Sequence, residues 1–182
     1  MSTPLEVGVN VNVSVRQLQD PRFVPQVLAA LAARDLPTSV LRLEVTESTL
    51  VGKDVTANQS LGDLEDAGIS VSVDDFGTGY SSLSYLSRLR VHEVKVDRSF
   101  VSGITTRPHD LAIVRATAAM AHAMHLGVVA EGIETPEQRD ALVALGIERG
   151  QGWFFGRPMT ADQATALVVA QWEDATSPGG GL

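Results

Sequence analysis

The sequence predicts an α/β fold of the barrel kind, in which a parallel sheet is wrapped by helices. Three observations lead there. Strand-like and helix-like runs alternate six times over 182 residues, and unbroken alternation implies parallel strands joined by crossover helices. The strands carry polar residues at every second position, whereas the strands of an open doubly wound sheet are apolar on both faces. Those polar positions share one parity, and a barrel can gather them on an inner face near the strand ends.

The elements follow in order. Val7 to Val15 (VGVNVNVSV) reads as the first strand by its period of two, and Pro21 to Asp35 as the helix after it. LRLEVTES, from Leu41, is the second strand, with a helix across Asp54 to Ala67. ISVSVDD, from Ile69, is the third, with a helix from about Ser81 to Arg90. VHEVKVD, from Val91, is the fourth. DRSFV after it starts a strand–helix turn with Phe100 in the core, and Asp110 to His125 is expected to be the longest helix. LGVVAEG is the fifth strand. The following helix has a marked start: Thr135 as N-cap, Pro136 at the first position and Gln138 placed to complete a capping box. A sixth, short strand lies near GIERGQG, and Thr160 with Gln163 repeats the capping pattern before the last helix. Residues 1–6 are expected to be a lead, 7–172 the domain and 173–182 a disordered tail that ends in SPGGGL.

Composition narrows the function classes. A chain 44% hydrophobic and 20% charged suits one globular domain with a sizeable core. A net charge of -8 is wrong for a DNA or RNA backbone or an anionic membrane. Cysteine is absent, which excludes disulfides, thiolate zinc sites and cysteine nucleophiles. No run resembles a signal peptide or a membrane span, so a cytoplasmic protein is expected. His122 and His125 lie three apart on a helix and are read as helix surface.

Parity locates the chemistry. Asn10, Asn12 and Ser14 oppose Val9, Val11, Val13 and Val15; Arg42, Glu44 and Thr46 oppose Leu41, Leu43 and Val45. Ser70, Ser72 and Asp74 oppose Ile69, Val71 and Val73, with Asp75 at the rim. Lys95 and Asp97 oppose Val94 and Val96, and Glu131 shares its face with Val129. If the apolar faces meet the helices, Asn12, Glu44, Asp74, Lys95 and Glu131 point into one cavity. Four carboxylates (Glu44, Asp74, Asp75 and Glu131) and one lysine stay ionised in a dry site only with strong compensation. Oxygen donors suit hard divalent ions, Mg²⁺, Mn²⁺ or Ca²⁺, and a bridging aspartate flanked by further carboxylates suits two of them. Gly77 and Gly79 then turn the chain over the site.

The stretches NVSVRQL, LEVTES, DDFGTGYSSL, VKVDRSFV, VVAEGIET and QGWFFGRP resemble, in order, the motifs of the EAL-type cyclic di-GMP phosphodiesterase domain of bacteria. The resemblance runs from about Val7 to about Trp172. It implies a (β/α)8 TIM-like barrel that opens one phosphodiester of cyclic di-GMP to give the linear dinucleotide, using Mg²⁺ or Mn²⁺. By motif position Asn12, Glu44, Asp74, Asp75 and Glu131 match the family's metal ligands, and Lys95 its lysine at the attacking water. Glu47 and Glu134 match glutamates that support the metal site and the loop after Asp75; Gln151 matches the site glutamine of the last strand.

The sequence departs from the pattern in one respect. The Glu-Ala-Leu triplet occurs nowhere in it; in the family its glutamate is a metal ligand and the arginine after it helps bind substrate. Six strands where eight are implied mean an incomplete barrel with two N-terminal strands missing, impaired hydrolysis, and raw edges through which the chain could dimerise. The alternatives are a non-catalytic module that binds the dinucleotide or a protein, and a metabolic barrel enzyme with one Mg²⁺, which leaves the motifs unexplained.

Overall fold

The computed structural model describes residues 7–47, 49, 54–78 and 91–176. Gly79 and the helix expected over 81–90 lie outside the described residues, as do the lead (1–6) and residues 177–182 of the expected tail.

Six strands form one sheet: β1 (Val9–Asn12), β2 (Leu41–Thr46), β3 (Ser70–Phe76), β4 (Glu93–Val96), β5 (Gly127–Ala130) and β6 (Arg149–Gly150). All pairs are parallel and the spatial order is the chain order. A doubly wound sheet reverses its strand order at a switch point; a barrel wall does not. Among the described residues β1 and β6 do not pair, so the wall is open and the barrel incomplete, as expected.

Helices cover one side. They are α1 (Val15–Leu18), α2 (Phe23–Ala32), α3 (Val55–Asp66), α4 (Arg98–Val101), α5 (Pro108–Ala123), α6 (Pro136–Val143) and α7 (Ala161–Thr176). The alternation from the sequence explains the packing. Leu43, Val45, Ile69, Val71, Val73, Val94 and Val96 are buried and meet Leu61 and Leu64 of α3 and Val114, Ala118 and Ala121 of α5 in one core. Each such Val, Leu or Ile side chain contributes about 1.5–3 kcal/mol on burial. No described helix is long and apolar enough to cross a membrane.

Local chemistry sets the ends, and here the sequence reading needs correction. The first strand stops at Asn12 rather than Val15, because Ser14 caps α1 in a box with Gln17. The Ser-x-x-Gln spacing inside NVSVRQL carried that signal. Val9 and Val11, expected against the helices, are 55% and 42% exposed. Helix α5 begins at Pro108, where a proline's missing N–H costs nothing, and ends before His125, whose φ is +59°. At 16 residues it is matched by α7, which runs through Thr176 because no helix breaker precedes Pro178. The capping boxes at Thr135 and Thr160 form as read.

Candidate active site

Two adjacent aspartates on a regular strand point to opposite faces. A break in register changes this. Ser72 and Val73 of β3 face Glu93 and Val94 of β4, yet the next paired residue, Phe76, faces Val96. Asp74 and Asp75 thus oppose Lys95 alone, a β-bulge. Asp75 takes the left-handed conformation (φ +55°), which aspartate tolerates better than most residues. Carboxylate oxygens of Asp74, Asp75 and Glu131 all come within 4.8 Å of one another. Gly77, at φ +97°, then turns the chain away, and its N–H donates to Glu47 Oε2 at 3.2 Å.

Lys95, 2% exposed, occupies the centre. Its ammonium donates to Glu44 Oε2 at 2.8 Å, Asp74 Oδ1 at 3.1 Å and Glu131 Oε1. Burial alone would lower the lysine's pKa, but the hydrogen bonds it donates to Glu131 and Glu44 prevail and raise it. One cation cannot satisfy three acids. Burial pushes the Glu131 carboxyl up, and the charges of Asp74 and Glu44 add to that against the pull of Lys95. Asp75 also moves up, through lost hydration first and then the neighbouring charges of Asp74 and Asp97. The centre has an excess of negative charge that Lys95 leaves uncompensated.

The other expected residues are placed as follows. Gln151 donates Nε2 to Glu131 Oε1 at 2.8 Å; its N–H bonds Ala130 O and its carbonyl accepts from Ile133 N, which sets it at the end of β6 beside the site. Glu47 is buried behind the turn after Asp75. Glu134 is exposed, with its main-chain N–H held by the Gln138 side chain. Asn12 lies in register with Glu44 and is exposed, while Asn10 makes the side-chain bond to Glu44, 2.9 Å from Nδ2 to Oε1. Asp97, on the parity of Lys95, caps α4 by accepting from Ser99 N at 3.0 Å, in line with the strand–helix turn read for DRSFV.

Sequence reading missed two features. Glu93, two residues before Lys95 and on its parity, is 1% exposed and pairs with Arg42 of β2 and Arg149 of β6. This ion network fills the opposite end of the inner face. The second feature is a cleft of about 420 Å³ beside Glu131, lined by Arg98, Glu131, Glu134, Gln151, Trp153 and Arg157 among others. The Arg157 guanidinium lies 4.8 Å from the Trp153 ring centre. Oxygen donors converging beside a cleft with cationic side chains fit hard divalent ions and a phosphate-bearing ligand.

Comparison with known proteins bears on this geometry. A family model described as the EAL domain matches residues 2–158. The chain is 42% identical over 162 residues to MucR of Pseudomonas aeruginosa, a bifunctional diguanylate cyclase/cyclic di-GMP phosphodiesterase, covering 89% of this chain and 24% of MucR. The solved PaMucR phosphodiesterase in complex with c-di-GMP superposes with a TM-score of 0.82 at 42% identity, covering 86% of this chain and 64% of that one. BlrP1 of Klebsiella pneumoniae, solved with manganese and c-di-GMP, gives a TM-score of 0.79 at 32% identity over 85% of this chain and 40% of that one. The chain spans about a fifth to a quarter of the length of the curated relatives it matches.

Proposed function

The chain belongs to the EAL domain family, and from that premise we propose that its site hydrolyses one phosphodiester bond of cyclic di-GMP to give the linear dinucleotide, in the cytoplasm. The observation that carries the reading is the convergence of Asp74, Asp75 and Glu131 at the β3 bulge around the buried Lys95.

The donor set fits Mg²⁺ or Mn²⁺: carboxylate oxygens only, with more negative charge than Lys95 can balance. Two such ions would supply Lewis acidity toward the phosphodiester and an acidified water. The chain's own residues do the rest. Asp74, Asp75, Glu131 and Glu44 would hold the ions, with Asn12 beside Glu44 on the neighbouring strand. Lys95, whose three N–H groups are here donated to Glu44, Asp74 and Glu131, would turn one of them to the attacking water once the ions take up those carboxylates. Gln151 would orient Glu131 through its amide. Glu47 would keep the turn after Asp75 in place through Gly77 N–H, and Glu134 would line the cleft entrance. Arg98 and Arg157 would meet the phosphates, which offsets the chain's overall negative charge locally.

A second reading is binding without hydrolysis. It is favoured by the sequence having no Glu-Ala-Leu triplet, hence no glutamate donor from that motif. Turnover by these 182 residues alone is therefore expected to be low. Chromatography of cyclic di-GMP incubated with folded protein and Mn²⁺, beside Glu131→Ala, separates the readings. Linear product lost in the variant supports hydrolysis; intact dinucleotide that nonetheless binds supports the second reading. Pairing of the open β1 or β6 edge with a second copy belongs to the same proposal.

A further inference from the structure

Glu44 has two carboxylate oxygens and two different partners. Oε2 accepts from Lys95 at 2.8 Å, and Oε1 accepts from the Asn10 amide at 2.9 Å. Glu44 as a whole is 5% exposed, so water is a poor substitute for either partner. The main chain of Glu44 is gripped from the same side, since its carbonyl accepts from Val13 N–H at 2.8 Å. β1 and the residue just after it therefore hold Glu44 by both its side chain and its main chain. Asn10 is on the parity of Asn12 but one step nearer the start of the strand, in register with Arg42. That lower position lets its amide meet Oε1 from below, while Lys95 takes Oε2.

We infer that Asn10 is a positioning residue for Glu44: its amide fixes the rotation of the carboxylate so that Oε2 stays directed at the centre shared by Lys95, Asp74 and Glu131. The inference rests on the reading of that centre as a divalent-ion site. An amide is suited to this role because it donates without adding charge; an acid at position 10 would repel Glu44, and an apolar residue would leave Oε1 buried without a donor. Partners that orient a ligand through a hydrogen bond typically change metal affinity about 10–100-fold when removed.

The test is titration of the 182-residue protein with Mn²⁺, following free Mn²⁺ by electron paramagnetic resonance, for wild type, Asn10→Ala, Asn10→Asp and Glu131→Ala. Asn10→Ala is expected to weaken binding about 10–100-fold and to lower the metal-free unfolding midpoint modestly, because the buried Oε1 of Glu44 loses its donor. Asn10→Asp, the same shape without the donor, should weaken it at least as much. A folded Asn10→Ala protein with wild-type affinity overturns the inference and leaves the ion site standing. In parallel, the Glu44 carboxyl ¹³C resonance of metal-free protein is compared between wild type and Asn10→Ala. If wild type binds no Mn²⁺, the ion-site reading falls, and this resonance alone decides: a shift upholds Asn10 as the group that orients Glu44, and an unchanged resonance overturns it.

Discussion

Lys95 shows how a single residue can be stabilising and constraining at once. Its ammonium is buried among Glu44, Asp74 and Glu131, and removing the charge leaves three acids facing one another without compensation. Breaking a buried ion pair by deleting one partner costs about 3–5 kcal/mol, a large share of the stability of an ordinary domain, about 5–15 kcal/mol. Lys95→Met is expected to lose an amount of that order in metal-free denaturant unfolding. It should also gain more from added Mn²⁺ than wild type does, because a bound cation replaces the missing ammonium and binding to the native state alone stabilises it. Metal-free stability equal to wild type, or an equal response to Mn²⁺, would contradict the charge balance described for this centre. The same residue explains the directions of the acid shifts. Glu131 is raised although it touches Lys95, because burial and the charges of Asp74 and Glu44 outweigh one shared cation.

At the scale of elements, the decisive feature is the β3–β4 bulge. Sequence alternation places Asp74 on the inner face and leaves Asp75 at the rim; only the shifted register brings both carboxylates to one centre. The junction of β5 and β6 is equally specific. A Cβ added at Gly152 would fall on the main-chain N, C and O of Ile133, groups that cannot move without displacing Glu131 and Gln151. Gly152→Ala should therefore separate Gln151 from Glu131 and open the Ile133 N–H bond to the Gln151 carbonyl. Backbone amide chemical shifts of 131–134 and 150–154 that match wild type in the folded variant would rule this out. Elsewhere the elements announce themselves. Thr135, Pro136 and Gln138 were legible as a helix start because each satisfies a local need: an N–H without a helical partner, a fixed φ, a reciprocal acceptor.

Across the whole molecule, the wall formed by the described residues is open at β1 and β6. β1 has one strand partner among the described residues, and all four of its residues are exposed, Val9 and Val11 among them. An apolar, unpaired strand edge is a template for another chain. Sedimentation velocity is expected to show concentration-dependent self-association that Val11→Lys shifts toward monomer; a wild-type protein that sediments as a monomer at every concentration would end the edge-pairing proposal. The inner face has two layers of charge. Glu93 with Arg42 and Arg149 balances the layer at the strand starts, while the layer at the strand ends is left in excess of acid.

The sequence by itself determined the strand–helix alternation, the face on which most polar strand residues fall and the helix starts at Thr135 and Thr160, because these depend on periodicity and on bonds between residues a few positions apart. It also carried the motifs that name the family. Tertiary structure alone decided that Asp75 joins Asp74 across a bulge, that the Asn10 amide bonds Glu44 Oε1, and that Arg42, Glu93 and Arg149 meet at the far end. Those outcomes turn on register between strands distant in sequence. A shift of one residue there changes which side chains face one another while leaving each strand's own pattern untouched.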